Sequence, residues 1–203
     1  MVFELFGIRF KLCFSFAATV TLMLLFSRTS VALISFLSSI AHETGHVMCL
    51  FLFGVRPRSI TLGFFGMRMI CADENRLDYR RDAIFLLSGV AVNLFLIAVA
   101  LPFCRAGSRF ADYVFAVNAV IALFNLLPVE TLDGGKALYL FLCSKRTPAA
   151  AAKGICVTSY LTVAFLVGFG IYLYYCRRLS LSFAAVTVYL IVQTVVSAEG
   201  LSH

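Results

Sequence analysis

The chain has 203 residues, of which 62% are apolar and only 13% are charged, and its mean hydropathy is +0.97. A globular core of this size could not bury so much apolar surface, so the composition excludes a soluble enzyme, a disordered tail and a secreted disulfide scaffold. Seven scattered cysteines include no C-x-x-C pair, and on such a chain a net charge of +7 reports membrane topology rather than nucleic-acid binding. The sequence therefore predicts a membrane protein surrounded by the lipid bilayer, with no nucleic acid as a partner.

Six apolar stretches predict an all-α polytopic fold with about six transmembrane helices, because a helix needs about 20 residues to cross a bilayer core. The stretches are residues 12–26, 31–53, 83–103, 111–127, 155–176 and 181–197. The first is short and follows Arg9 and Lys11, so a cleaved signal peptide is the alternative to a retained helix. No small-x-small cleavage site follows it, which favours retention.

Two longer segments separate these stretches. Residues 54–82 mix β-forming residues with glycines, which predicts a small β element at the membrane surface between helices 2 and 3; an unstructured amphipathic loop is the alternative. Residues 130–154 contain a helical patch. If all six helices cross, 12 Lys and Arg residues lie on the side of the N-terminus and five on the other. The positive-inside rule then places both termini and both long segments in the cytoplasm.

The second apolar stretch contains the sequence H-E-T-G-H, in which His42 and His46 are four residues apart. This spacing turns both imidazoles to one face of a helix, about 40° apart around the axis and about 6 Å along it, so one cation can bind both. Glu43 points about 100° away from His42, where it can act as a base beside the metal without being a ligand. Because ionisable groups cost at least about 2.5 kcal/mol within a membrane span, the cluster indicates a functional site.

A catalytic zinc ion commonly takes two histidines and one carboxylate from the protein. Asp133 is the candidate carboxylate because it follows the fourth apolar stretch, in a run where Pro128, Gly134 and Gly135 interrupt helical hydrogen bonding. Two alternatives remain open at this point: Asp133 caps the next helix, or Glu130 is the ligand.

At these residues the chain resembles the site-2 protease family of intramembrane zinc metalloproteases, and within it the small six-helix branch typified by the stage IV sporulation protease of endospore-forming bacteria. The resemblance rests on H-E-T-G-H and on N-L-L-P-V-E-T-L-D-G-G at residues 125–135. It implies that Zn²⁺ is held by His42, His46 and Asp133, that Glu43 is the catalytic general base, and that Asn125 holds the substrate backbone or the oxyanion.

A third segment, residues 88–93, is similar to a Gly-Pro-x-x-Asn segment of the family, but Val90 stands where the family has proline. This departure weakens any special role for Gly89 and Asn93. Their alternative roles are helix packing by a small residue and an interhelical hydrogen bond.

The resemblance implies that the protein hydrolyses a peptide bond in or near the membrane segment of a membrane-associated precursor, with the pro-form of a sporulation sigma factor as the expected substrate. We expect one domain over residues 1–203 without a PDZ or CBS domain, in a bacterial cytoplasmic or forespore membrane, with the active site facing the cytoplasm and any regulator being a membrane protein. A divalent-metal transporter or metal-binding membrane protein is the alternative. That alternative gives Glu43 no role, and the sequence lacks the inverted repeats of many transporters.

Overall fold

The computed structural model describes residues 2–5, 8–12, 30–55, 57–63, 66–71, 79–178 and 180–200. Over these ranges the chain forms six helices and four strands. It divides into two compact units, Met1–Leu123 and Phe124–His203.

The strands of the first unit form one sheet. They are β1 (Val2–Leu5), β2 (Ile8–Leu12), β3 (Pro57–Gly63) and β4 (Gly66–Cys71). The sheet has the order β1-β2-β3-β4, in which β2 and β3 are parallel and the two outer pairs are antiparallel. The β3–β4 hairpin lies in the segment for which the sequence predicts a small β element, whereas its location at the membrane surface stays a prediction. Strands β1 and β2 are not among the predicted elements, although apolar and basic residues alternate over Ile8–Leu12 with the period of a strand.

Three helices coincide with the second, third and fourth apolar stretches. They are α1 (Ser30–Leu52), α2 (Tyr79–Arg105) and α3 (Arg109–Asn125), of which α3 ends just inside the second unit. Gly54 and Gly107, at positive φ, end the first two helices. The N–H group after each glycine bonds to the carbonyl five residues earlier, as in a Schellman motif.

Helices α1 and α2 pack against each other at Gly45. A Cβ atom at this position would lie 2.8 Å from Cγ2 of Val92 and 2.9 Å from the carbonyl oxygen of Ser88. Only glycine therefore permits this approach of the two backbones, which is the usual function of small residues between apolar helices. The contact places the histidine-bearing face of α1 against α2.

The second unit contains α4 (Asp133–Cys143), α5 (Pro148–Tyr175) and α6 (Leu181–Gly200). Helix α5 begins earlier than the predicted stretch because the Thr147 side chain accepts a hydrogen bond from the Ala150 N–H group and Pro148 occupies the first turn. Helix α5 packs against both α4 and α6. The core of this unit contains two side chains from the α3–α4 connection and one from each long helix: Val129, Leu132, Val163 and Leu190.

Two of the described helices, α2 and α5, are long and apolar enough to cross a membrane, and the apolar part of α6, residues 183–196, is shorter. Large apolar side chains such as Phe95 and Phe165 are about two-thirds exposed, at 66% and 69%. Such exposure is typical of a surface covered by lipid or protein, which supports a membrane protein. The count of six transmembrane helices stays a prediction, and the first predicted helix lies almost wholly outside the described residues.

Candidate metal centre

The two histidines of α1 lie side by side and are almost completely buried. His42 and His46 are each 5% exposed, and their Nε2 atoms are 3.3 Å apart. The rings meet nearly edge to face, with centroids 5.0 Å apart. The helical spacing of four residues therefore brings both imidazoles to one point, as the sequence predicts.

Hydrogen bonds from α2 define the tautomer of both rings. The Nδ1–H group of His42 donates to Oδ1 of Asn93 over 2.6 Å, and the Nδ1–H group of His46 donates to the carbonyl oxygen of Phe85 over 2.8 Å. Since both acceptors are oxygens, each neutral ring carries its proton on Nδ1 and leaves Nε2 unprotonated. An imidazole that ligates a metal has this arrangement, with the other ring nitrogen donating to an oxygen.

The distance between the two Nε2 atoms fits a shared zinc ion. Two ligands at about 2.0–2.1 Å from a tetrahedral zinc are about 3.3–3.4 Å apart, and the observed separation is 3.3 Å. In this tautomer neither Nε2 can donate a hydrogen bond to the other. The histidine pair therefore has the spacing and the lone pairs that a zinc ion requires.

Gly89 of α2 provides the space beside the two rings. A Cβ atom there would lie 2.5 Å from Nε2 of His46 and 2.7 Å from both Cε1 and Nε2 of His42. Real Cβ atoms essentially never approach other atoms so closely. A side chain at position 89 would occupy the space beside the two Nε2 atoms, so this arrangement of the rings requires glycine there.

Asp133, the third predicted ligand, is the first residue of α4 and is half-buried. The N-cap of this helix is Leu132, so the alternative in which Asp133 itself is the cap is wrong. The connection before it is anchored by the Glu130 N–H group, which donates to the buried Ser159 hydroxyl over 3.0 Å. Gly134 and Gly135 pass so close to the backbone of Leu126 and Val129 that no side chain would fit. The backbone at Asp133 is therefore held by packing on both sides.

The remaining predicted residues are Glu43, Asn125 and Glu130. Glu43 follows His42 in α1 and is half-buried, and Asn125 is the last residue of α3, also half-buried. Glu130, the alternative ligand, lies in the turn before α4 and is half-buried. In chemical type, His42, His46 and Asp133 are two imidazoles and one carboxylate, which is a common donor set of a catalytic zinc ion.

The fold has a solved counterpart, although no family model matches the chain. The structure is similar to the site-2 protease from Methanocaldococcus jannaschii, with a TM-score of 0.66, 17% sequence identity, and coverage of 96% of this chain and 93% of that chain. The chain has the fold of a site-2 protease.

Curated relatives have names that agree with the motifs. The chain is 31% identical over 140 residues, 64% of its length, to "Membrane metalloprotease ARASP, chloroplastic" of Arabidopsis thaliana. It is 33% identical over 113 residues, 53% of its length, to "Putative zinc metalloprotease sll0528" of Synechocystis sp.. These matches cover 31% and 30% of the two relatives, so the chain spans about a third of their length. The resemblance to zinc metalloproteases of the site-2 type is confirmed.

Gly89 and Asn93 have a closer relation to the candidate ligands than the sequence predicts. The structure confirms the interhelical hydrogen bond expected of Asn93, but its partner is the candidate ligand His42. Gly89 contacts the same ring. A signal was available in the sequence: Gly89 and Asn93 are separated by four residues, as His42 and His46 are, so two packed helices can align both pairs.

Proposed function

We propose that this chain is a zinc metalloendopeptidase that hydrolyses a peptide bond in or near the membrane segment of a membrane-associated protein. The observation that carries the proposal is the buried histidine pair, whose Nε2 atoms are 3.3 Å apart and whose Nδ1 atoms both donate to oxygen acceptors. Zinc would be held by His42, His46 and Asp133, which leaves one position of a tetrahedral site open.

Each candidate residue has a distinct role in this reaction. A zinc ion held there would supply Lewis-acid polarisation and would make water a stronger nucleophile near neutral pH. Glu43 accepts the proton of the attacking water and then gives it to the leaving amine. The Asn125 amide donates a hydrogen bond to the substrate carbonyl oxygen as this atom becomes negative.

A helical substrate must unwind before it can react, because its scissile carbonyl is hydrogen-bonded within the helix. An unwound segment can pair with the exposed edge of a sheet, where main-chain hydrogen bonds recognise backbone more than sequence. In the described sheet β4 is an edge strand. We therefore assign the β3–β4 hairpin to holding the unwound substrate.

The setting of the reaction follows from charge and from the motifs. Twelve basic residues on one side of the predicted topology against five on the other support an active site that faces the cytoplasm. Resemblance to the sporulation branch supports a precursor of a sporulation sigma factor as substrate, in a bacterial cytoplasmic or forespore membrane. Six arginines lie within residues 54–82, the last two of them in the first turn of α2, and can attract an acidic precursor or anionic lipid headgroups: Arg56, Arg58, Arg68, Arg76, Arg80 and Arg81.

The activity is tested by replacing Glu43 alone. The wild type, Glu43→Gln and the control Glu199→Gln, which makes the same change near the end of α6, are each co-expressed with membrane-tethered precursors. We expect cleavage by the wild type and by the control, no cleavage by Glu43→Gln, and one zinc per chain in all three. Cleavage by Glu43→Gln at the wild-type rate would contradict the role of Glu43. A wild type that transports zinc across vesicles without cleaving any precursor would favour the transporter.

The substrate needs a separate test in the source organism. Deletion of the gene should leave the sigma-factor precursor at its full size during sporulation, as followed by immunoblot, and the wild-type gene should restore processing where Glu43→Gln does not. Normal maturation in the deletion strain would contradict the substrate assignment and leave the peptidase activity to be judged by the first experiment.

A further inference from the structure

A chain of buried polar side chains extends from His42 away from the metal-binding face. The Asn93 Nδ2 group donates to Oδ1 of Asn118 over 2.8 Å, and the Asn118 Nδ2 group donates to the Ser38 hydroxyl over 3.0 Å. Asn93 and Asn118 are each 0% exposed and Ser38 is 5% exposed. We call Asn93, Asn118 and Ser38 the amide relay. It connects α2, α3 and α1. At one end Asn93 bonds to His42, and at the other end is Ser38, which lies four residues before His42 on α1.

The relay has a fixed direction because one of its contacts is a main-chain carbonyl. The Asn118 Nδ2 group also donates to the carbonyl oxygen of Val114 over 2.8 Å, and a carbonyl can only accept. The Asn118 amide therefore cannot turn over without placing two oxygens against each other, and its Oδ1 must face Asn93. Asn93 then presents its N–H to Asn118 and its Oδ1 to His42.

The orientation of the Asn93 amide determines which ring nitrogen of His42 carries the proton. Because Oδ1 of Asn93 faces His42, the imidazole must carry its proton on Nδ1, and Nε2 is then the unprotonated nitrogen, as in an imidazole that ligates a metal. An asparagine alone does not have this effect, since its amide can present either oxygen or nitrogen to a neighbour. Asn118 removes that freedom.

We propose that Asn118 is a positioning residue for the metal centre, and that it selects the metal-binding tautomer of His42 through Asn93. This inference rests on the proposed function only in that His42 is taken to be a zinc ligand. His46 needs no such device, because its Nδ1–H group donates directly to the Phe85 carbonyl oxygen. The two ligands should therefore respond differently when Asn118 is changed.

The tautomer can be measured without metal or substrate. The chain has three histidines, His42, His46 and His203, so ¹⁵N-histidine labelling gives three imidazoles whose protonated and unprotonated nitrogens are distinguished by NMR in detergent. The full chain is measured metal-free in mildly alkaline buffer. In Asn118→Leu we expect a second population of His42 with its proton on Nε2, while His46 keeps its proton on Nδ1.

Two variants control for a general structural effect. Asn118→Asp keeps a side-chain oxygen that can accept from the Asn93 Nδ2 group, so it should keep the wild-type tautomer. Ser38→Ala removes one acceptor but leaves the Val114 contact, so it should also keep that tautomer. If Asn118→Leu does not fold, Asn118→Ala removes the amide without added bulk and has the same expected result. If His42 keeps its proton on Nδ1 alone in the folded Asn118→Leu or Asn118→Ala variant, the proposal is wrong.

Zinc affinity, measured by competition with a chelator, tests whether Asn118 acts through Asn93. Loss of a partner that orients a metal ligand typically lowers metal affinity about 10–100-fold, and we expect Asn93→Leu to lie in this range and Asn118→Leu near its lower end. In the double variant, Asn118→Leu should cause no further loss, because the residue through which it acts is already absent. Losses that multiply would overturn the proposal. A tautomer that depends on Asn118 in a protein that cleaves nothing would contradict the peptidase activity alone.

Discussion

Gly89→Ala should remove the metal from an otherwise intact fold. The added Cβ would lie 2.5 Å from Nε2 of His46 and 2.7 Å from Nε2 of His42, whereas ordinary van der Waals contact begins at 3.4 Å. The rings must then retreat by about 0.7–0.9 Å, several times the tolerance of about 0.2 Å on metal–ligand distances. We expect zinc affinity to fall about 100-fold or more, and activity with it, because a misplacement of about 1 Å can cost about 100-fold in rate.

Gly168→Ala is the matched control for this change. Gly168 also lies within a long helix, α5, but a Cβ atom there would meet nothing within 4 Å. Zinc content after dialysis, affinity by chelator competition and precursor cleavage are measured for both variants, together with the melting temperature of the metal-free protein. The control should behave as the wild type. A Gly89→Ala protein that retains wild-type zinc affinity and activity would show that the rings are not confined as the structure has them.

The other predictions concern the third ligand, the loop that carries it and the topology. Asp133→Ala should lose most of its zinc while staying folded in detergent, whereas Glu130→Ala should keep it; the reverse result would identify Glu130 as the ligand. The Thr131 hydroxyl is the buried side-chain oxygen without a hydrogen-bond partner among the described residues, so Thr131→Val should raise the free energy of unfolding by about 1 kcal/mol or more, and a loss of stability would contradict this. In single-cysteine variants, an impermeant maleimide added to intact cells should label Cys176 and not Cys71; labelling of Cys71 would refute the topology.

The helices and the candidate ligands were accessible from the sequence because their signals are local. A run of apolar residues predicts a helix wherever it packs, and H-E-x-x-H places two imidazoles on one face by helical geometry alone. The described helices accordingly follow five of the six apolar stretches. The N-terminal strands were missed because the alternation of apolar and basic residues over Ile8–Leu12 spans only five residues and leads directly into an apolar run.

The parts that the sequence did not predict depend on which residues of different helices meet. Asn118 is 25 residues from Asn93 and 80 from Ser38 in the chain, and no local sequence pattern predicts contacts over such separations. Within α3 alone, Asn118 is one polar residue in an apolar helix, as an unimportant packing residue would be. Only the contact with Asn93 relates it to His42.

The spacing of α2 explains how one helix serves both histidines. Phe85, Gly89 and Asn93 recur every four residues, about 6 Å apart along the axis, and so form one stripe. His46 contacts Phe85 and His42 contacts Asn93, so α1 and α2 run antiparallel. The spacing of four residues in α1 matches the spacing in α2. Gly89 therefore lies opposite the gap between the two rings. Along α2, the Phe85 carbonyl accepts from His46, Gly89 leaves space beside both rings, and the Asn93 side chain accepts from His42. Val90, where the resembling family has proline, is outside this stripe, which is why the departure at that position leaves the geometry of both candidate ligands intact.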